Sequence, residues 1–213
     1  MYEVSINGDF GKSKKNTVKN FFSQNKLLVF LSICLLCGIF CGSMLVKFAD
    51  KSTWQFINIL FSNDVRERAT KTLLESFIGS LSSTFVFIFA SFFMGLSMYG
   101  FIFVPFIPFA YGVCIGMSEV YLYLSHGLKG LLLYSFIFLP GIFVSSMAIL
   151  LMTKEATSMS SSLSSLSFSK GNFNNSFSLK RYFVRSGYLI IIAVFSSIIE
   201  LLSSSLFSRF FVV

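Results

Sequence analysis

Charged side chains are scarce in this sequence. They make up 12% of its 213 residues, about half of the roughly 25% that soluble domains carry. Since 54% of the residues are hydrophobic and 29 of them are Phe, an ordinary water-soluble domain, a disordered tail and a disulfide-stapled secreted module are all excluded. The composition predicts a small polytopic membrane protein.

Groups that carry chemistry are also few. The single histidine, His126, excludes a histidine-rich metal site and a Ser-His-Asp relay with a spare histidine. The glycine-bearing segment 95–100 leads into no Lys-Ser or Lys-Thr pair, which excludes a phosphate-binding loop there. Cys34 and Cys37 have the spacing of a redox pair, but an apolar helix lacks the exposed electropositive setting that activates a thiol. We predict that these two thiols and Cys41 form a packing face, and we expect no enzymatic activity and no cofactor or metal.

The uncharged runs of the sequence are long enough to predict several membrane spans. A helix needs roughly 20 apolar residues to cross about 30 Å of hydrocarbon. Residues 76–118 contain no charge and would be about 64 Å long as one helix, so we expect a bend at Gly100, Pro105 and Pro108, because proline clashes with the preceding turn. We predict an all-α bundle of about five transmembrane helices, at residues 27–46, 77–98, 101–118, 130–153 and 186–208.

The distribution of Lys and Arg predicts the orientation. With the N-terminus inside, the cytoplasmic segments carry ten Lys and Arg residues and the external segments seven, and such residues are retained on the cytoplasmic side. We predict a cytoplasmic N-terminus and an external C-terminus. In a four-span alternative, residues 99–118 re-enter without crossing and the C-terminus lies inside. A signal peptide in place of the first span is disfavoured, because its apolar core would be only about 7–15 residues long.

Three segments lie between or before the spans. Residues 1–26 form a basic cytoplasmic arm, and such arms attract anionic lipid head groups. Residues 47–76 form an external amphipathic loop, in which an interfacial helix around Trp54 precedes a mixed-charge turn. Residues 154–185 form a serine-rich stretch that is typical of a flexible cytoplasmic linker. The predicted partner contacts on the external loop are Asp64, Arg66, Glu67 and Arg68.

Two patterns lie inside the spans. Glu200 is 14 residues into the last hydrophobic stretch, and ionisable groups at such depth are costly and often functional. It could pair with a cation, bond backbone groups at a broken helix, belong to an ion path, or lie where the helix frays towards the interface. A structural or partner-bonding role is favoured, because a lone carboxylate makes a poor transporter. The GxxxG spacings of Gly38/Gly42 and Gly112/Gly116 favour close helix packing and self-association.

Taken in order, these features resemble the stage II sporulation protein M family of spore-forming bacteria, over about residues 17 to 210. The order of glycines, prolines and spans carries the resemblance. It includes the arm ending at residues 21–26, the first span closing at 37–43, residues 92–100, the proline bend and residues 112–116. The individual positions that complete it, and that we take as structural or intramembrane, are Gly95, Gly100, Pro105, Gly112, Gly116, Pro140, Arg181 and Glu200.

The resemblance implies a non-enzymatic membrane scaffold that localises two peptidoglycan hydrolases, a lytic transglycosylase and an amidase/endopeptidase, at the sporulation septum during engulfment. Expected partners are then these hydrolases, membrane lipids and a second copy of the chain, with no nucleic acid. The alternative is a transporter or permease-like subunit that uses Glu200 and helices broken near Pro105 and Pro140. We find no internal repeat that would support transport.

Overall fold

The computed structural model describes residues 25–48, 73–133, 135, 138–168 and 179–211. This part of the chain is all-α and contains no strand. Its six helices are α1 (Lys26–Lys47), α2 (Leu73–Leu96), α3 (Gly100–Phe103), α4 (Phe106–Leu133), α5 (Leu139–Phe168) and α6 (Leu179–Phe211).

Five helical segments in the described residues are long and apolar enough to cross a membrane, and the protein is a multi-pass membrane protein. The segments are Lys26–Lys47, Ile78–Leu96, Gly100–Ser125, Leu139–Ser165 and Leu179–Ser203. Their number and order are as predicted. The third is 26 residues long, about 39 Å as a helix, which favours a full crossing over the re-entrant alternative.

The predicted boundaries of the last three spans differ from the observed ones, and the third continues to Ser125 in place of the predicted end at 118. Helix α5 continues to Phe168, so the first half of the predicted flexible linker 154–185 is helical. Helix α6 begins at Leu179, seven residues before the predicted start of the fifth span. The prediction ended each span at a charge, but a cation at the edge of a bilayer can extend its head group towards water while the helix continues.

The predicted bend is present at Gly100 and Pro105, whereas Pro108 lies inside α4. The chain reverses at Ser97–Tyr99, before Gly100, and Pro105 separates the single turn α3 from α4. Pro140 is the second residue of α5, where a missing N–H costs little, so the expected break inside a span is absent from this helix. Helix α4 is interrupted at Gly127, whose φ of 60° is a positive value that glycine adopts at little cost because it has no Cβ atom.

The helices form two connected groups. Helix α1 packs along α4, while α5 packs against α2, α6 and α1. The residues that form the core include Leu31 and Leu35 of α1, Ile88 of α2, Tyr111 of α4, and Ile149 of α5. Large apolar side chains on the outer faces, such as Phe40, Val86 and Phe195, remain about 60% exposed, as expected for side chains that face lipid.

One end of the bundle is basic. The Lys154 Nζ donates to the Asn25 Oδ1 at 3.1 Å, and the Arg185 Nη1 pairs with the Glu155 Oε1 at 2.7 Å. The start of α1, the middle of α5 and the start of α6 therefore lie at one level. That level carries Lys26, Lys154, Lys180, Arg181 and Arg185, a concentration that favours the predicted cytoplasmic location of this end.

Candidate functional site

Glu200 lies where three helices meet. Its carboxylate Oε2 accepts a hydrogen bond from the Ser80 hydroxyl of α2. Gly141 of α5 lies against the same side chain, because a Cβ atom at Gly141 would come within 2.8 Å of the Glu200 Cβ. Ser80 is buried and Glu200 is partly buried. The carboxylate therefore joins α6 to α2 while the stem of its side chain packs on α5.

A hydroxyl network continues from this contact. The Ser196 hydroxyl of α6 donates to the Gly141 carbonyl at 2.6 Å, and the Ser145 hydroxyl donates to the same carbonyl at 3.0 Å. The Ser145 and Tyr111 hydroxyls are 2.6 Å apart, which brings in α4. In lipid, a buried polar group without a partner is costly, so this network both satisfies its members and ties α4, α5 and α6 together.

These contacts determine what the arrangement can do chemically. The groups described around Glu200 are neutral hydroxyls and the peptide carbonyls of Gly141 and Ile142. Where side chains are described, no three of His, Cys, Asp and Glu lie close enough to hold a metal ion. The geometry supports the predicted structural role of Glu200, as a hydrogen-bond acceptor between helices.

Sequence reasoning identified Glu200 but none of its partners. Its partner Ser80, and the neighbouring network members Ser145 and Ser196, are three serines among many. Ser91 only donates back to its own helix, to the Phe87 carbonyl at 2.8 Å, whereas Ser80 and Ser196 reach another helix, and Ser145 bonds its own helix and also meets Tyr111. No local pattern distinguishes the two kinds. The one usable signal is depth, because each of the three lies inside a charge-free run at a level that another span can reach.

The glycines of the first span are packed against α4. A Cβ atom at Gly38 would overlap the Phe109 carbonyl oxygen and lie 3.1 Å from the Val113 nitrogen. At Gly42 it would overlap the Val113 carbonyl oxygen and lie 2.9 Å from the Val113 Cα. Both obstacles are backbone, so the two helices approach as closely as two glycines permit.

The glycines of α4 are packed against the backbone of α1 in the same way. A Cβ atom at Gly112 would overlap the Leu35 carbonyl oxygen, and one at Gly116 would overlap the Ile39 carbonyl oxygen. The increasing residue numbers on both helices show that α1 and α4 run parallel. The expected close packing is confirmed, but these glycines are used within the chain and do not form a free surface for self-association.

The cysteine prediction is wrong in its geometry. Cys37 and Cys41 are exposed, whereas the packed face of α1 contains Leu31, Leu35, Gly38 and Gly42. Glycine permits a closer backbone approach than cysteine. The glycine face of α1 therefore packs against α4, and the Cys37 and Cys41 side chains lie on the exposed face.

A second cluster holds the basic end together. The Tyr182 hydroxyl of α6 donates to the Phe92 carbonyl of α2 at 3.0 Å, and the two rings stack with centroids 5.4 Å apart. Gly95 makes room for this hydroxyl, because a Cβ atom there would overlap it and lie 2.9 Å from the Ala156 Cα. Gly95 is thus a packing residue, as predicted, and Tyr182 is the partner that the sequence did not reveal.

The turn before α3 is fixed by one serine of the supposed linker. The Ser160 hydroxyl donates to the Ser97 carbonyl at 2.6 Å and accepts from the Phe101 N–H at 2.8 Å. Gly100 is required in this turn, because a Cβ atom there would overlap the Met94 carbonyl oxygen. Arg181 lies exposed in the first turn of α6, which agrees with its predicted place at a span entry.

The predicted external contacts lie outside the described residues. Asp64, Arg66, Glu67 and Arg68 belong to residues 49–72, so their role remains a prediction from sequence.

Compared with protein-family models, with curated proteins and with solved structures, the chain matches none of them. The resemblance to the stage II sporulation protein M family therefore depends on the order of residues and spans described above.

Proposed function

We propose that this protein is a non-enzymatic membrane scaffold that holds a lytic transglycosylase and an amidase/endopeptidase at the sporulation septum during engulfment. The resemblance supplies the process and the partners. The bundle supplies the physical support, since a scaffold needs a stable set of crossing helices that presents segments on both sides of the membrane.

The observation that carries the proposal is the use of Glu200 in packing. The Ser80 hydroxyl donates to its carboxylate, and its Cβ lies against Gly141. A carboxylate on an ion path needs room for an ion and a change of partners, whereas this one accepts from the Ser80 hydroxyl while its side-chain stem packs on Gly141. The arrangement favours a rigid bundle over a transport path.

The transport alternative also relied on broken helices. Discontinuous spans form transporter sites near the bilayer midplane. Here Pro140 lies in the first turn of α5, and the Pro105 break lies near the first turn of a span. Neither proline supplies a midplane site, so no observation favours transport as a second function.

The docking surface that we assign to the hydrolases is the external loop, residues 47–76. It is the longest predicted external segment, and mixed charge gives orientation to an encounter while nearby apolar groups supply affinity. The five-span orientation, in which residues 99–118 cross the membrane, can be tested independently. A C-terminal phosphatase fusion should be active and a C-terminal fluorescent fusion that folds only in the cytoplasm should be dark; the reverse pattern would contradict the five-span orientation.

The function itself is tested by co-purification from sporulating cells in mild detergent, followed by immunoblotting for the two hydrolases. R66E/R68E should reduce recovery of both without lowering the protein's level in the membrane. K12E/K14E, which reverses two cations of the cytoplasmic arm, is the matched control and should leave recovery unchanged. Normal recovery and septal localisation with R66E/R68E would reject the loop as the docking surface. Absence of both hydrolases from the unaltered protein, together with ion flux in proteoliposomes, would reject the scaffold.

A further inference from the structure

The cations at the basic end lie on one surface across three helices. Lys154 of α5 bonds the residue before α1, and Arg185 of α6 pairs with Glu155 of α5, so side chains of α1, α5 and α6 meet there. We define the basic surface as Lys26, Lys154, Lys180, Arg181 and Arg185. Among the residues with described side chains at this end, it carries five cations against the single carboxylate of Glu155, a net charge of +4.

Three cations of the basic surface directly adjoin uncharged runs of three different helices. Lys26 directly precedes the apolar run of α1, Lys154 directly follows the apolar part of α5, and Arg185 directly precedes that of α6. Since Lys and Arg concentrate where a helix leaves the hydrocarbon, these three positions are expected at its boundary with water. Phosphates of the surrounding lipids occupy that boundary.

One face of α6 extends the surface towards the acyl chains. Arg181, Arg185, Tyr188, Ile192 and Phe195 follow one another at intervals of four and three residues, which places them on one helix face. All five are exposed. This order of side chains is complementary to a phospholipid. The two guanidinium groups suit the phosphate, the tyrosine suits the interface, and the apolar side chains suit the acyl chains.

We propose that the basic surface and this face of α6 form a binding surface for anionic phospholipids of the leaflet in which they lie. Guanidinium groups are suited to phosphate, because their planar donors can contact two oxygens at once. Lipid is favoured over an acidic protein segment, because the stripe continues into apolar side chains that a water-soluble partner would not reach. The proposal concerns the side of the bundle opposite the external loop and does not depend on the hydrolases.

The test uses the full-length protein in phosphatidylcholine vesicles with spin-labelled phosphatidylglycerol or spin-labelled phosphatidylcholine as the probe. Electron paramagnetic resonance gives the fraction of each label held at the protein surface, and hence the preference for the anionic lipid. The variant K180Q/R181Q removes two cations but keeps the Arg185–Glu155 pair. The matched control K47Q/K51Q removes Lys47, the last residue of α1, and Lys51, which follows it in the sequence. Circular dichroism verifies that each variant is folded.

We expect the unaltered protein to prefer phosphatidylglycerol and K180Q/R181Q to reduce that preference by roughly fivefold or more, since each cation near a membrane surface contributes about that factor. K47Q/K51Q should retain most of the preference. Sodium chloride should weaken binding by screening, and inorganic phosphate at equal ionic strength should do no more than chloride. No preference in the unaltered protein, an equal loss in both variants, or stronger displacement by inorganic phosphate would each overturn the proposal.

Discussion

Two regions of this bundle hold their helices together in different ways. Between α1 and α4, four glycines bring the two backbones into direct contact. Among α2, α5 and α6, hydroxyl groups and one carboxylate bridge the helices, as in the bonds Ser80–Glu200 and Tyr182–Phe92. Lipid is as apolar as a leucine side chain, so helices in a membrane gain little by hiding apolar surface from it. Close backbone packing and interhelical hydrogen bonds are the two remaining sources of stability. The first dominates between α1 and α4, and the second is added to glycine packing among α2, α5 and α6.

The difference predicts how each region responds to substitution. A backbone contact cannot be relieved by a change of side-chain rotamer, because the atoms that block a new Cβ atom belong to the backbone of the neighbouring helix. A hydrogen bond can be replaced by another polar group of similar shape. A single substitution in the glycine region should therefore cause a large loss of stability, whereas the loss in the polar region should depend on how well the new side chain replaces the hydrogen bond.

The largest expected effect is at Gly38. Gly38→Ala puts a Cβ atom into the Phe109 carbonyl oxygen, so α1 and α4 must separate. Overpacking of this kind costs about 1–3 kcal/mol, measured as the free energy of unfolding in mixed micelles of sodium dodecyl sulfate and a mild detergent.

Gly187→Ala is the matched control on α6, because nothing lies within 4 Å of the new Cβ atom. It should stabilise slightly, since alanine is the better helix former by about 1 kcal/mol. Equal unfolding of the two variants would show that α1 and α4 are not in backbone contact.

The next effect is at Glu200. Glu200→Gln keeps an acceptor for the Ser80 hydroxyl, whereas Glu200→Leu leaves that hydroxyl without this partner, so the leucine variant should be the less stable. A double-mutant cycle with Ser80→Ala should give a coupling of about 1 kcal/mol, within the range found for hydrogen bonds between membrane helices. A complete and equal loss of function with both Glu200 variants, with ion flux from the unaltered protein, would instead support transport.

Much of the fold could be predicted because hydrocarbon thickness limits it so strongly. Uncharged runs of 20 or more residues gave the number, order and helical nature of the spans. The predicted helix ends were wrong at Lys154 and at Lys180–Arg185, since a charge ends an apolar run without ending the helix. The same limitation made the helix through Ser160 look like a linker, although this residue is fully buried.

The candidate site was predictable only in part. A carboxylate in an apolar helix is conspicuous, so Glu200 could be found from the sequence. Its partners could not, because the choice between Ser80 and Ser83 depends on the rotation of α2. Ser80 reaches Glu200 across the bundle, whereas Ser83 donates back to the Ser80 carbonyl at 2.9 Å. Rotation is set by packing against other helices, and that information is distributed over the whole chain.

A smaller effect is expected at Tyr182. Tyr182→Phe keeps the ring stacked on Phe92 but removes the hydrogen bond to its carbonyl, at a cost of about 1 kcal/mol in the free energy of unfolding. Tyr188→Phe, in the same helix but 64% exposed, should be nearly neutral. If both variants unfold alike, the Tyr182 hydroxyl contributes nothing to holding α2 against α6.

The smallest effect is expected at the Arg185–Glu155 pair, which also joins two helices but lies at the edge of the bundle. Its side chains are 52% and 27% exposed, so solvent screens their attraction, and such pairs contribute about 0.2–1 kcal/mol. Arg185→Gln should therefore shift the unfolding midpoint only slightly, and the shift should shrink further at high salt. Glu155→Gln should behave in the same way, since either change removes the same attraction. A salt-independent loss of stability as large as that of Gly38→Ala would mean that the pair is shielded from water. Substitutions in the polar contacts of α6 would then be as destabilising as those in the glycine contacts of α1.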